Sequence, residues 1–191
     1  MNSFRASIVA SPIFGILLAC LLATGCFRAP PPEYPAHDTL LRLMNERLAL
    51  MTDVARWKWN TKTAIADPVR EQAFLDAMAT AGKPYGLDPA TTRAFFSTQI
   101  EAAKRVQESR FRAWSANRRG PFAEVPNLQR DIRPEIDRIS QAMLPALAAA
   151  LQEPVDETDV LRLADQRLTA PGLTIHARTT ARQFFASAAE K

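Results

Sequence analysis

The sequence predicts an all-helical protein, a single-domain bundle of about six helices with one long central helix. Apolar residues recur every three to four positions through most of the chain after residue 38, which is the period of an amphipathic helix. Two Asp-Pro pairs, at Asp67 and Asp88, each mark a helix start, since Asp caps the first turn and proline is tolerated there. No segment shows the alternation of a half-buried strand.

The individual helices follow from these caps and from the breaks between them. "GKPYGLDP" and "RRGPFAEVP" are rich in glycine and proline and predict loops. Four longer helices are predicted, at about 38–61, 68–81, 89–117 and 128–151. Two shorter ones are predicted near 157–168 and 174–188.

The first 25 residues are typical of a secretory signal peptide: one cation, Arg5, precedes an apolar run that ends in small residues. The ending "LLATGC" resembles a bacterial lipobox and predicts a lipid on Cys26 after cleavage. Cys20 is a second candidate, and a soluble secreted form that is cut nearby is the alternative. Export to the periplasm, with a possible tether to the membrane, is therefore expected.

The mature chain is predicted to begin with a proline-rich stem, residues 26–37. Residues 38–150 would form the main helical domain, and residues 151–191 accessory helices packed on it. Both cysteines of the chain lie in or directly after the signal, so no disulfide is expected within the helical domain. His37 and His176 are predicted to be surface residues, and no cluster of metal ligands is evident.

The charge balance excludes few classes of protein, but it does not favour one that binds nucleic acid. The formal net charge is +4 for the whole chain and falls to +3 when the signal, with its single Arg5, is removed. Nucleic-acid-binding domains usually carry a far stronger basic patch.

The first predicted helix contains two cations where it should be apolar. In "LLRLMNERLALMTDVARWKW", Arg47 and Lys58 fall in the middle of the apolar face. They are eleven residues apart, about 16 Å along the axis, and both can reach one small object between them. An internal salt bridge or an extended side chain reaching water would explain one such cation. Two on one face favour a bound anion, because a buried unpaired cation costs several kcal/mol.

The third helix repeats this pattern with polar residues inside its apolar face: Gln99, Gln107 and Arg110. A buried amide needs a hydrogen-bond partner, which could be a ligand or a nearby backbone group. Further charged candidates lie near the starts of the second and fourth helices, where surface solvation is the alternative: Arg70, Glu71 and Arg133.

Taken together, these residues resemble the all-helical chorismate mutases, in particular the secreted (gamma) subclass with extra C-terminal helices. The resemblance extends from about Leu40 to Leu144. It rests on "ERLALMTDVARWKW", "DPVRE", "QIEAAKRVQESRFRAW" and "RPEID" in that order and spacing. It implies the type II chorismate mutase fold.

The resemblance also implies a role for each matching residue. Lys58 corresponds to the lysine that bonds the ether oxygen and a carboxylate of the substrate, and Gln107 to the residue that faces the same oxygen. Glu71 corresponds to the residue that holds the substrate hydroxyl. The positions that bind the substrate carboxylates correspond to Arg47, Arg70 and Arg133.

Two further positions complete this comparison. Asp67 lies where the family spacing places an acidic residue in the site. At Ala103 relatives often carry Ser or Thr, so one hydroxyl contact to a substrate carboxylate is expected to be missing here. The match at Arg133 requires a one-residue shift in the alignment.

The implied reaction is the rearrangement of chorismate to prephenate, a pericyclic Claisen rearrangement without covalent intermediate, metal or cofactor. In the secreted subclass the site is built within one chain, and a homodimer is a possible assembly. The main alternative function is a non-catalytic periplasmic lipoprotein bundle that acts as a scaffold or binding module. A third is a carrier for small acids, which would bind chorismate and leave it unchanged.

Overall fold

The computed structural model describes residues 33–175, 178–179 and 184–185. These residues form six α-helices, one 3₁₀ turn (Lys83–Tyr85) and one π-helical turn (Leu128–Ile132), with no β-strand among them. The predicted all-helical class is confirmed. The helices are α1 (Pro35–Ala49), α2 (Met51–Thr61), α3 (Pro68–Ala81), α4 (Pro89–Ala116), α5 (Arg133–Ala150) and α6 (Glu157–Arg167).

Both Asp-Pro pairs start helices as predicted. The Asp67 carboxylate accepts a hydrogen bond from the Arg70 amide at 3.2 Å, and α3 has the predicted bounds. The Asp88 carboxylate accepts one from the Thr91 amide at 2.8 Å. Each bond satisfies one of the amides that a helix start leaves without a partner.

The predicted first helix is two helices, α1 and α2, interrupted at Leu50. Leu50 keeps right-handed helical angles (φ −67°, ψ −19°), so the chain continues with a local irregularity rather than a bend into a loop. Hydrophobic periodicity could not reveal this interruption, because the apolar face runs on across it. Arg47 consequently lies on α1 and Lys58 on α2.

The predicted fourth helix starts with a π-helical turn before α5 begins. Within this turn the Ile132 amide donates to the Asn127 carbonyl, five residues back, at 3.2 Å. A π turn holds one residue more than an α-helical turn.

The core forms where α1 packs on α5 and where α2 and α3 pack on α4. Burying each large apolar side chain in it contributes roughly 1.5–3 kcal/mol. Its largest fully buried apolar side chains come from α1, α4, α5 and the segment after α6: Leu40, Leu41, Met44, Leu48, Phe95, Phe96, Ile139, Met143, Leu144, Leu147 and Leu168.

The interpretation of His37 as a surface residue is wrong. His37 is 4% exposed, and its Nδ1 lies 2.7 Å from a carboxylate oxygen of Glu153. The same carboxylate accepts hydrogen bonds from the amides of Ala36 (3.1 Å) and His37 (2.9 Å). Glu153 thus caps the start of α1 from a distant part of the chain. Because α1 begins at Pro35, the predicted stem is wrong over its last three residues.

Several sequence predictions fall outside the described residues. These are the signal peptide, the lipidation candidates Cys20 and Cys26, the rest of the stem up to residue 32, His176, and most of the helix predicted near 174–188. Within the described part, no helix combines the length and apolar character needed to cross a bilayer.

We expect Glu153→Gln to lower the free energy of unfolding by about 1–2 kcal/mol at pH 7, because a charged cap at a helix N-terminus is lost. Burial alone would raise the pKa of Glu153, but the hydrogen bonds from His37 and Ala36 outweigh burial and lower it. The stabilisation is therefore present above the unfolded pKa of about 4.3 and is lost as the pH falls through the lowered folded value.

Urea unfolding at pH 7 and at pH 3 measures this difference, with Glu108→Gln, an exposed position in the middle of α4, as the control. Equal stability of the two variants at pH 7 would show that the Glu153 cap does not hold the start of α1.

Candidate active site

A cavity of about 560 Å³ opens between α1, α2, α3, α4 and the start of α5. Apolar side chains, among them Met51, Val54, Trp57, Phe74 and Ile100, form part of its wall. The cavity brings together all eight residues of the helical domain to which the family resemblance gave a place in the site: Arg47, Lys58, Asp67, Arg70, Glu71, Ala103, Gln107 and Arg133. Gln99 and Arg110, the other polar residues on the apolar face of the third predicted helix, do not line it.

Arg47 is the most deeply buried cation of the cavity, with 5% of its surface exposed. Its guanidinium donates to the Gln99 carbonyl at 3.2 Å and to the Ser140 hydroxyl at 3.4 Å, and it lies 5.7 Å from the centre of the Phe74 ring. No carboxylate of the described residues forms an ion pair with it. Burial, and then Arg70, lower the pKa of Arg47 to about 10, so the group stays charged at neutral pH.

Lys58 lies near the end of α2 and is 9% exposed, and its side chain reaches the α2–α3 connection that follows. Its Nζ donates to the Ile65 carbonyl at 2.6 Å, which leaves two of its three N–H donors for other partners. Burial lowers the pKa of Lys58, and the negative charge of Asp67 opposes that shift. The ammonium is thus held in place by a neutral backbone group rather than by a carboxylate.

The other two arginines come from α3 and α5. Arg70 is half-buried in the first turn of α3, and within the described chain its side chain has no ion pair. The guanidinium of Arg133 donates to the side-chain oxygen of Gln129, one turn earlier. Burial, and then Arg70, lower the pKa of Arg133.

The cavity carries an excess of positive charge. Its lining includes five cations (Arg47, Lys58, Arg70, Lys104 and Arg133) and three carboxylates (Asp67, Glu71 and Asp137), a formal balance of +2. Of the five cations, only Lys104 forms an ion pair with another described residue. A dianion of small size would complement this charge.

Gln107 is 4% exposed, and its side-chain nitrogen donates to the Ala103 carbonyl at 3.1 Å. The same nitrogen lies 3.9 Å from the Met51 sulfur, a weak contact. The amide oxygen is buried without a hydrogen-bond partner in the described structure. A primary amide has two N–H donors, so one remains that a bound molecule could use.

Asp67 and Glu71 serve the start of α3 as well as the cavity. The Asp67 carboxylate caps the helix, and Oε1 of Glu71 accepts a hydrogen bond from the Asp67 amide at 3.1 Å. This is a reciprocal capping arrangement. Oε2 of Glu71 accepts from Nζ of Lys104 at 3.1 Å.

Four further groups at the cavity were not expected from the sequence: Lys104, Gln129, Asp137 and the Ile65 carbonyl. Gln129 and Asp137 lie four residues before and after Arg133, a spacing that could have placed them on its face. Lys104 lies three residues before Gln107 and could have been found in the same way. Residue types in the sequence do not reveal which backbone carbonyl will face the cavity.

The chain is similar to known chorismate mutases. The type II chorismate mutase family matches residues 37–108. A monofunctional chorismate mutase of Enterobacter agglomerans is 30% identical over 140 residues, which are 71% of this chain and 74% of that protein. A secreted chorismate mutase of Mycolicibacterium smegmatis is 28% identical over 160 residues, 82% of this chain and 88% of that protein.

A solved structure supports the same assignment. The crystal structure of chorismate mutase from Burkholderia thailandensis superposes with a TM-score of 0.70 at 35% identity, covering 78% of this chain and 98% of that one. We conclude that the chain belongs to the type II chorismate mutase family and is an isomerase.

Proposed function

We propose that the cavity binds chorismate and converts it to prephenate by a pericyclic rearrangement. The observation that carries this proposal is the formal charge of +2 in a partly apolar cavity, where four of the cations have no carboxylate partner among the described residues. Chorismate is a dicarboxylate, so its two charges match that balance. A scaffold protein would have no need for cations held in this way.

The reaction is unimolecular and needs no nucleophile. The enzyme has two tasks: to hold the substrate in its compact, chair-like conformer, and to stabilise negative charge that develops on the ether oxygen as the C–O bond breaks. Fixed charges suit the first task, because binding both carboxylates in fixed positions selects the reactive conformer of the substrate. Preorganised hydrogen-bond donors in a site with little water suit the second.

We assign the first task to Arg47, Arg70 and Arg133. They approach the cavity from α1, α3 and α5, so they can hold two carboxylates from different sides. Guanidinium groups bind carboxylates through paired, charge-assisted hydrogen bonds. The Gln99 carbonyl and the Ser140 hydroxyl limit the movement of Arg47 before any ligand is present.

We assign the second task to Lys58 and Gln107. The Ile65 carbonyl fixes the Lys58 ammonium, and the Ala103 carbonyl fixes the Gln107 amide, each with donors left over. Both groups are buried, where a hydrogen bond to a developing charge is worth more than in water. Glu71 would accept a hydrogen bond from the ring hydroxyl of the substrate.

The cellular context is part of the proposal. Relatives named as secreted chorismate mutases support export of this chain. We propose cleavage of a signal peptide that ends at residue 25, lipidation of Cys26 and a homodimeric assembly. Residues 38–150 would carry the site, with residues 151–191 packed on the same domain.

The direct test is the purified mature protein with chorismate, following chorismate loss and prephenate formation together. We expect stoichiometric conversion that EDTA does not affect, because no step uses a metal. Protein that is folded and monodisperse but leaves chorismate unchanged would contradict the proposal. If that protein still binds chorismate, it would be a carrier for small acids. If it does not bind chorismate, the result would favour the scaffold or binding module.

Gln107→Glu tests whether the Gln107 amide faces the ether oxygen. An amide donates at every pH, so the wild-type rate should be nearly flat from about pH 5 to 8. A buried carboxyl has a raised pKa and can donate only when protonated. The variant should therefore retain activity at pH 5 and lose it progressively as the pH rises, because the ionised form repels the developing charge.

The measurement is kcat/KM against pH for both proteins, with circular dichroism to confirm folding. Gln166→Glu, which adds the same charge at an exposed position of α6, is the control and should keep the wild-type profile. Superimposable profiles for wild type and Gln107→Glu would show that Gln107 does not face the ether oxygen.

A further inference from the structure

Lys104 is the cation of the cavity to which the proposed mechanism gives no task. It lies on α4, with 20% of its side chain exposed. Its Nζ is 3.1 Å from Oε2 of Glu71 on α3 and 2.5 Å from Oε1 of Glu101 on its own helix. Glu71 lines the cavity, whereas Glu101 does not.

Each of the two carboxylate oxygens of Glu71 accepts a hydrogen bond from a different group. The Asp67 amide, at the start of α3, holds Oε1, and the Lys104 ammonium, on α4, holds Oε2. A carboxylate with both oxygens fixed by groups on different elements has little freedom to rotate. Each oxygen accepts about two hydrogen bonds, so capacity for a substrate hydroxyl remains.

We infer that Lys104 is a positioning residue: it fixes the Glu71 carboxylate as the acceptor for the substrate's ring hydroxyl. This inference rests on the proposed function of the cavity. Burial alone would lower the pKa of Lys104, but hydrogen bonds to Glu101 and Glu71 raise it, so the ammonium keeps its proton. Its hold on Glu71 therefore persists throughout the neutral pH range.

The ordinary explanation is that Lys104 only joins α3 to α4. The chain offers a matched control for that explanation, because Arg93 of α4 forms an ion pair with Asp76 of α3, and neither lines the cavity. If Lys104 contributed only an ion pair between α3 and α4, removing that ion pair should have the same effect on the kinetics as removing the Arg93–Asp76 ion pair. Surface pairs of this kind contribute little to stability.

The experiment is steady-state kinetics of the mature protein with Lys104→Met, Lys104→Arg and Arg93→Met. We expect Lys104→Met to raise KM about five- to twentyfold with a smaller fall in kcat, because a hydroxyl contact made in the bound substrate is weakened. Lys104→Arg should restore most of the affinity, since a guanidinium can reach both glutamates. Arg93→Met should stay within about twofold of wild type.

A double-mutant cycle with Glu71→Gln tests whether Lys104 acts through Glu71. The expected result is that Glu71→Gln/Lys104→Met has the same kcat/KM as Glu71→Gln alone. The inference would be overturned if the losses of kcat/KM in Glu71→Gln and Lys104→Met multiplied in the double variant. Equal kinetics for Lys104→Met and Arg93→Met would also overturn it. Inactive wild-type protein would instead refute the proposed function, and a fully active Glu71→Gln would refute the role of Glu71.

Discussion

The site depends on buried cations that have no carboxylate partner in the described part of the chain, and Arg47 is the clearest case. A buried cation without a counter-ion destabilises a fold by several kcal/mol. Here neutral groups, such as the Gln99 carbonyl, satisfy part of its hydrogen-bonding capacity, and the negative charge of Asp137 only partly opposes the effect of burial on its pKa. The fold therefore keeps an excess of positive charge in a partly apolar cavity, and in the proposed mechanism a dianionic substrate would provide the counter-charge.

The cations of the cavity lie on five different α-helices and therefore approach it from several directions. The short interruption at Leu50 separates α1, which carries Arg47, from α2, which carries Lys58. Gln129, in the π-helical turn before α5, accepts a hydrogen bond from the Arg133 guanidinium. The reciprocal caps at the start of α3 fix Glu71 and its neighbours. Positions on helices restrict movement more than loops do, which suits a reaction that depends on preorganisation.

Much of this site could be predicted from the sequence, because the relevant residues break a periodic pattern. Arg47 and Lys58 interrupt an apolar face, and the Asp67–Pro68 pair marks the start of α3 with its charged first turn. The roles of Gln107 and Arg133 came from family resemblance rather than from periodicity.

The parts that were missed depend on tertiary contacts or on backbone detail. His37 is buried because Glu153, far along the chain, caps α1 and binds its imidazole. The π turn and the interruption at Leu50 are changes of backbone hydrogen bonding that leave the side-chain pattern almost intact. Lys104 was not singled out from the sequence, because its ion pair with Glu71 depends on how α3 packs on α4.

The proposed mechanism requires that the protein retains buried positive charge for ligand binding at a cost in stability. The measurement is urea unfolding of wild type and Arg47→Met at pH 7, with and without prephenate, alongside kcat/KM. Burial lowers the pKa of Arg47 to about 10, and pH 7 lies below both the folded and the unfolded value, so the full cost of the charge applies in the free protein.

We predict that free Arg47→Met is as stable as wild type or more so, and that it loses stabilisation by prephenate and at least about a thousandfold in kcat/KM. A variant that is several kcal/mol less stable but still turns over chorismate at a near wild-type rate would contradict the account. Arg47 would then be a structural residue.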